Sequence, residues 1–476
     1  MPVEALAVAN ANLPIARLIS IPELFAFIVH CALDVYPPLV QQRLGAAVVV
    51  SHVSYACRLL CLSTPTLWAR QIGKLPTATR EFLARSSKAE LDIHWASWNP
   101  SLASLGPSSI PSIQPSCVRS LRWGGSSGEP PETHGNAAIL HGILSGALPN
   151  LRSLDFYGIY WRRDFAPRQL DILDVPQLAL LRLYSVSLGQ TLLRFNAPAL
   201  KSLSIRQTPL SLSSVVNILQ LAPLLETLDL DLGVIEIDIG RHQISPLTIT
   251  LPHLHDVYIY TAPRFKAAEL CEQLLNMLVM QTRSLKIQTE TQWTDSLLTI
   301  GLRHALARGI PACLYIKPPL QFYALEDDIP FEKAPDFDCQ DVLASLSSKS
   351  QQTIEHLHWV WSALPRVATP TDGAFSYIVT LVLHTCYAAA VSDVDTRSLF
   401  CALPQIETFW VIDQNVRMGY RRESTLVYDC FIDALMPGST TSALEQTPFT
   451  RLRYLGLGLS TNEPAQLLTS IHRVLV

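Results

Sequence analysis

Charge is scarce in this chain of 476 residues: only 16% are Asp, Glu, Lys or Arg, and together they leave a net charge of −4. Neither sign is in enough excess to mark a ligand for nucleic acid or for an anionic membrane surface. No apolar run approaches the ~18 residues a transmembrane helix needs, so no membrane span is expected. The ten cysteines, at 31, 57, 61, 117, 271, 313, 339, 386, 401 and 430, form no CxxC pair and no compact framework. They read as reduced thiols, mostly filling a core, in a cytoplasmic or nuclear protein. Residues Met1 to Leu13 carry no basic leading region and no cleavage pattern, so a signal peptide is not expected.

The usual signatures of chemistry are missing too. Gly73-Lys74 is the one Gly-Lys pair and lacks upstream glycines, so it makes no phosphate loop. There is no GxSxG elbow and no HExxH helix. His253-x-His255 and His356-x-His358 would each set two imidazoles on one strand face, but neither has an obvious third ligand, and structural metal sites take four. Asp229 and Asp231 share a strand face, where paired carboxylates on an exposed sheet serve recognition more readily than acid–base work. The expectation is a non-catalytic protein with neither metal nor cofactor.

What the chain has in quantity is one phrase. A Pro is followed by apolar residues two, five and seven positions on: Pro149 with Leu151, Leu154 and Phe156, then Pro176 with Leu178, Leu181 and Leu183. It recurs at Pro198 (Leu200, Leu203, Ile205), Pro223 (Leu225, Leu228, Leu230), Pro252 (Leu254, Val257, Ile259) and Pro404 (Ile406, Phe409, Val411). The last two apolar positions alternate as a strand with one buried face requires. The anchors from 149 to 252 recur every ~22 to 29 residues, the spacing of a leucine-rich repeat. Units without the Pro keep the strand, at Leu91/Ile93, Val118/Leu121/Trp123, Leu285/Ile287, Leu314/Ile316, Leu357/Trp359, Leu381/Leu383 and Leu455/Leu457. This makes thirteen candidate strands.

A chain this long exceeds one compact core, whereas a solenoid grows by packing each unit only on its neighbours. The expected fold is therefore α/β: a parallel curved sheet with a helical or irregular outer face, over 88–476. Return helices are expected over Phe265–Met280 (Leu270, Leu274, Leu278) and from Thr294 (Leu298, Leu302, Ala305). Insertions interrupt the period near 318–340, which is acidic, and 413–447, with Arg417, Arg421 and Arg422; both read as loops. If positions five and seven point inward, four, six and eight face a partner. That face carries Asp155, Tyr157, Arg182, Tyr184, Arg206, Asp229, Asp231, Tyr258, Tyr260, Lys286, Tyr315 and Trp410. Tyr and Arg often dominate interfaces, although Tyr is also simply a good strand residue.

The front of the chain is different. After a tail over 1–16, the stretch 17–70 reads as three short helices, with a linker helix in 71–87. Ser20-Ile21-Pro22-Glu23 has the form of a capping box, and Leu24, Phe27, Ile28 and Cys31 fall on one helical face. Leu39 to Val50 reads as a second helix, and Ser51 as the cap of a third containing Val53, Ala56, Cys57 and Leu60. So few residues bury too little surface to stand comfortably alone, so their excess apolar surface should meet the repeats or a partner.

These residues resemble a known family. Ile21-Pro22-Glu23-Leu24 through Ile28, Val50-Ser51-His52-Val53-Ser54, and Leu62-Ser63-Thr64-Pro65-Thr66-Leu67-Trp68 look like an F-box of the type abundant in basidiomycete fungi, followed by degenerate leucine-rich repeats. The chain departs from that pattern at Ile21 (usually Leu), at Tyr55-Ala56 (usually a basic pair) and at Cys57 (usually Trp). The resemblance implies the substrate receptor of an SCF-type ubiquitin ligase. Its F-box would dock a Skp-type adaptor, and through it cullin and a RING subunit, while the repeats hold an unknown substrate protein. Such a receptor works by positioning, raising the effective concentration of a substrate lysine. By position, Pro22, Leu24, Phe27, Ile28, Val53 and Leu60 would face the adaptor or fill the small helical core. Two other readings stay open: a repeat scaffold whose head has lost its adaptor, and a mixed α/β enzyme, which would need a closed pocket of converging polar groups.

Overall fold

The computed structural model describes residues 14–38, 44–96, 113–124, 140, 143–144, 147–158, 173–186, 195–235, 248–261, 267–280, 284–289, 296–297, 300, 303–304, 312–316, 320–324, 378–384, 405–412 and 454–458. The protein is α/β and dominated by parallel sheet. It divides into two compact units. The first holds 1–225 and 235–241, the second 226–234 and 242–476.

Strands β1 (Leu91–Ala96), β2 (Val118–Gly124), β3 (Ser153–Tyr157), β5 (Leu180–Tyr184) and β7 (Ser202–Arg206) of the first unit lie side by side, all parallel. Their register is in step: Leu121, Leu154, Leu181 and Leu203 form one rung, and Trp123, Phe156, Leu183 and Ile205 another. All eight are buried, as the two-residue period demands when one face meets a core. The prolines have a definite job. In every anchored unit from Pro149 to Pro252 the residue two beyond the Pro donates its N–H to the carbonyl just before it (Leu151 to Leu148, Leu178 to Val175, Leu200 to Ala197, Leu225 to Ala222, Leu254 to Leu251). Pro thus occupies the second position of a β-turn, where its fixed φ is already correct. The Leu at the end of each turn is fully buried. Short ladders precede these turns, β4 (Leu173–Asp174) with β6 (Phe195–Asn196) here. In the second unit β9 (Ile249–Leu251) pairs with β11 (Leu278–Met280).

The first unit's strands also end alike. Gly158, Ser185 and Gln207, each just past a strand, take left-handed φ values of 58°, 54° and 50°. Gly158 and Ser185 then donate to the carbonyls of Tyr184 and Arg206 on the next strand. Between β7 and the second unit runs α7 (Leu212–Gln220), capped by Ser211, whose hydroxyl accepts from the Ser214 N–H.

In the second unit β8 (Thr227–Asp231), β10 (Asp256–Thr261) and β12 (Ser284–Thr289) are parallel and in step. Helix α8 (Ala267–Met277) buries Leu270, Cys271, Leu274 and Leu275 on the way back. It stops before Leu278, which belongs to β11, so the expected helix to Met280 is three residues too long. Leu298, Leu302 and Ala305 lie outside the described residues; Leu297 and Ile300 are the buried positions described there. β13 (Ala312–Ile316), β15 (Ile378–His384), β16 (Thr408–Ile412) and β17 (Tyr454–Gly458) continue the parallel pairing. One strand breaks the pattern. β14 (Leu320–Ala324), within a stretch expected to be loop, pairs antiparallel with β12 on one side and β13 on the other. Three residues separate β14 from β13 in the chain, too few for the crossover that a parallel pairing would need. The candidate strand at Leu357/Trp359, His356 and His358, and the 413–447 insertion lie outside the described residues.

Among the described residues the front of the first unit holds five short helices before residue 70 rather than three: α1 (Pro14–Ile19), α2 (Pro22–Val35), α3 (Ala46–Ser51), α4 (Tyr55–Leu62) and α5 (Pro65–Ala69). The expected capping box does not form, because Ile21 occupies the cap position and the Ser20 hydroxyl donates to the Arg17 carbonyl. Nor does Ser51 cap a helix: it ends α3, and Ser54 caps α4 by accepting from the Cys57 N–H. The stretch read as a linker is packed structure. Helix α6 (Thr79–Ser86) lays Phe82 against Trp68 at 5.4 Å and Arg85 over the same indole at 4.6 Å. Ile72 pairs in parallel with Ile93, covering the outer edge of β1. Gly73 makes that approach possible, since a Cβ there would sit 2.1 Å from the His94 carbonyl oxygen.

Candidate functional site

Two surfaces carry the candidate residues. On α2 the buried side chains are Phe25, Val29 and Leu33. The face picked out by spacing, with Leu24, Phe27 and Ile28, points to solvent, and Phe27 is 63% exposed. On α4 the face picked out by spacing is split: Cys57 is buried together with Cys61, Leu60 is half-buried and Ala56 is exposed. Val53, in the α3–α4 turn, is 69% exposed, and Pro22 is exposed at the start of α2. Of the six expected adaptor-facing residues, five are therefore exposed and Leu60 is partly covered. The interior is closed instead by Trp68, whose indole N–H donates to the Cys61 carbonyl at 2.7 Å. Burial raises the Cys61 thiol pKa to about 11, which keeps it protonated and inert.

The second surface is the outward face of the first unit's strands. One rung reads His94, Arg122, Asp155, Arg182, Ser204; the next reads Ala96, Gly124, Tyr157, Tyr184, Arg206. Arg182, Tyr184 and Arg206 are exposed and Tyr157 half-buried, as alternation predicts. Asp155 is not: it is only 6% exposed and paired with Arg122 at 3.7 Å. Burial pushes its carboxyl pKa up, against the opposing pull of Arg122 and Arg182. Gly124 explains how the cluster closes. A Cβ there would meet the Cβ of Tyr157 at 2.8 Å, so its absence lets Tyr157 settle across the neighbouring strand. The Arg122 guanidinium then lies 5.2 Å from the Tyr157 ring, and Tyr184 follows at 5.9 Å. Arg122, Lys74 and His94 join this cluster without having been singled out in the sequence. The Val118/Leu121/Trp123 phrase already placed Arg122 outward, whereas Lys74 arrives through the edge segment that no strand pattern marks. Burial, then Arg122 and Lys74, pushes the His94 pKa down to about 4, so the imidazole is neutral at physiological pH.

The second unit's outward rungs run Asp229, Tyr258, Lys286 and Asp231, Tyr260. Asp229, Tyr258, Tyr260 and Lys286 are half-buried. Asp231 is buried, and its carboxylate accepts the Gly233 N–H at 2.9 Å, so it serves the turn after β8 rather than a partner. Tyr315, Val382, Trp410 and Gly456 share a register line across β13, β15, β16 and β17. His253 and His255 sit in the turn before β10, not on a strand, and His255 pairs with Asp256 at 3.0 Å. Among the described residues no three His, Cys, Asp or Glu side chains converge as a metal site, and no helix is long and apolar enough to cross a membrane.

No protein-family model matches the chain, and a search of the curated proteins finds no match.

Proposed function

We propose that this protein is the substrate receptor of an SCF-type ubiquitin ligase: an F-box head docking a Skp-type adaptor, and a leucine-rich-repeat solenoid holding a substrate protein in its parallel sheet. The observation that carries the reading is the inverted face of α2. Leu24, Phe27 and Ile28 are exposed although Phe25, Val29 and Leu33 beneath them are buried. A helix that leaves three large apolar side chains in water is shaped to be covered by something else. The F-box resemblance of these same residues says what covers them. The in-step rungs and Pro-anchored turns support the solenoid, and the outward Arg and Tyr residues support a protein-binding face. Localisation follows the ligase, in cytoplasm or nucleus. A scaffold whose head joins no ligase is the second reading, favoured by exposed Tyr55 and Ala56 where the resembled pattern has a basic pair.

Co-purification with a recombinant Skp-type adaptor tests this. The wild-type chain should retain the adaptor, and Leu24→Asp or Ile28→Asp should release it while leaving the circular dichroism of the repeats unchanged. Equal retention by these variants removes the docking face. No retention by the folded wild-type chain selects the scaffold.

A further inference from the structure

We propose that the head and the first strands of the sheet open and close as one cooperative unit, so that an adaptor seated on α2 stabilises β1 and β2, and damage to those strands loosens the adaptor's seat. The adaptor half of this inference rests on the receptor reading; the cooperative unit stands on packing alone. Parts joined by a linker move and unfold separately unless a large apolar interface unites them. Here buried contacts run from α2 into the sheet. Helix α2, whose buried side carries Phe25, Val29 and Leu33, lies against α5, and a hydrogen bond of 3.1 Å ties His30 to Thr66. Trp68 of α5 is a shared wall: its indole bonds to the Cys61 carbonyl inside the head, while Phe82 and Arg85 of α6 lie against the ring. Trp68 and Ile72 are both fully buried. Ile72 joins β1 by pairing with Ile93 and accepting the His94 N–H at 2.8 Å. β1 pairs in turn with β2, where Arg119 also engages Asp92. A head this small buries too little apolar surface to hold itself closed, and these shared contacts supply the remainder. Stabilisation added to one part therefore appears in the other, in both directions.

The test is amide deuterium exchange of the full chain, read by mass spectrometry under conditions where rates follow opening equilibria. Val29→Ala makes a small cavity on the buried side of α2. It should speed exchange ~tenfold in α2, and by the same factor in β1 and β2. Ile93→Val, on the sheet side, should speed all three together by several-fold. A recombinant Skp-type adaptor at ~100 times its Kd should slow exchange in β1 and β2 ~100-fold, although it is seated on α2. Faster exchange confined to α2 in Val29→Ala overturns the proposal, since the head then opens alone. Faster exchange confined to the strands in Ile93→Val overturns it equally. Adaptor that is retained but leaves the strand rates unchanged also overturns it, and leaves the receptor reading in place. A joint response of helix and strands to both variants, in a chain that retains no adaptor, does the reverse: the cooperative unit stands and the receptor reading is rejected.

Discussion

Trp95 and Trp123 stack inside the first unit, ring centroids 4.9 Å apart and planes 3° from parallel. They occupy the same rung of β1 and β2, so register alone brings them face to face. Both are buried, and the Trp95 indole N–H is covered without an acceptor. Trp123→Ala should therefore cost about 3–5 kcal/mol, the usual penalty for emptying a large aromatic site. Trp95→Phe should cost under ~1.5 kcal/mol, because the smaller ring also removes an unsatisfied donor. Urea unfolding of the two variants checks the contrast. Equal losses would mean that the indole N–H has an acceptor in solution.

Gly73 makes a second prediction. Its φ is 81°, and a Cβ would meet the His94 carbonyl carbon and oxygen, both backbone atoms. Gly73→Ala thus adds left-handed strain of ~1–2 kcal/mol to a clash that only moving Ile72 off β1 can relieve. Amide hydrogen exchange should show the His94 N–H, which donates to the Ile72 carbonyl at 2.8 Å, losing protection first. Full protection in the alanine variant would refute the edge-covering role.

Conformation after the strands offers the opposite sign. Gln207 holds φ 50° where the equivalent residue after β3 is Gly158. Gln207→Gly should relieve that strain and raise stability by ~0.5–1 kcal/mol, since the Cβ penalty exceeds the added chain entropy. A lower thermal midpoint would show that the Gln side chain contributes more than its backbone costs.

The Pro-anchored strands were legible because one buried face enforces a two-residue alternation at a fixed distance from the anchor. Pro anchors were legible because a β-turn needs the φ that Pro supplies. The head was not legible in the same way. Leu24, Phe25, Phe27, Ile28 and Val29 make α2 apolar nearly all round, so spacing selects a face without saying which one is buried. Ser51 is the cap that spacing suggests for α4, yet it ends α3, and Ser54 caps α4 by accepting from the Cys57 N–H. β14 has no anchor and pairs only with its neighbours on the sheet. Asp155 sits at an outward position and is buried all the same, because Arg122 and Tyr157 from its own and the adjacent strand close over it.

Acid sensitivity follows from His94. Its pKa falls from 6.5 to about 4 in the folded chain, chiefly through burial. An unfolded chain takes up the proton first, so the stabilisation is present above pH 6.5 and is lost as pH drops toward 4. His30 and His304, also lowered by burial, act in the same direction. The His94 contribution is on the order of 2–3 kcal/mol. His94→Gln should flatten the decline in thermal midpoint between neutral and acid pH, and an unchanged slope would assign the decline to other groups.

Phe27 and Val29 test the inverted helix face most sharply, being two residues apart on α2. Phe27 is 63% exposed and Val29 only 3%. Placing Asp at 29 puts an unpaired carboxylate among Phe25, Leu33 and the α3–α5 side chains, and should destabilise the head by more than ~3 kcal/mol. Placing Asp at 27 puts the same charge in water, and should move the thermal midpoint by no more than a surface change does, ~0.5 kcal/mol. Limited proteolysis of the first 90 residues would show rapid cleavage for Val29→Asp and wild-type resistance for Phe27→Asp. If Phe27→Asp were cleaved as fast, the face now in solvent would belong to the head's own core, and the apolar strip proposed for the adaptor would disappear with it.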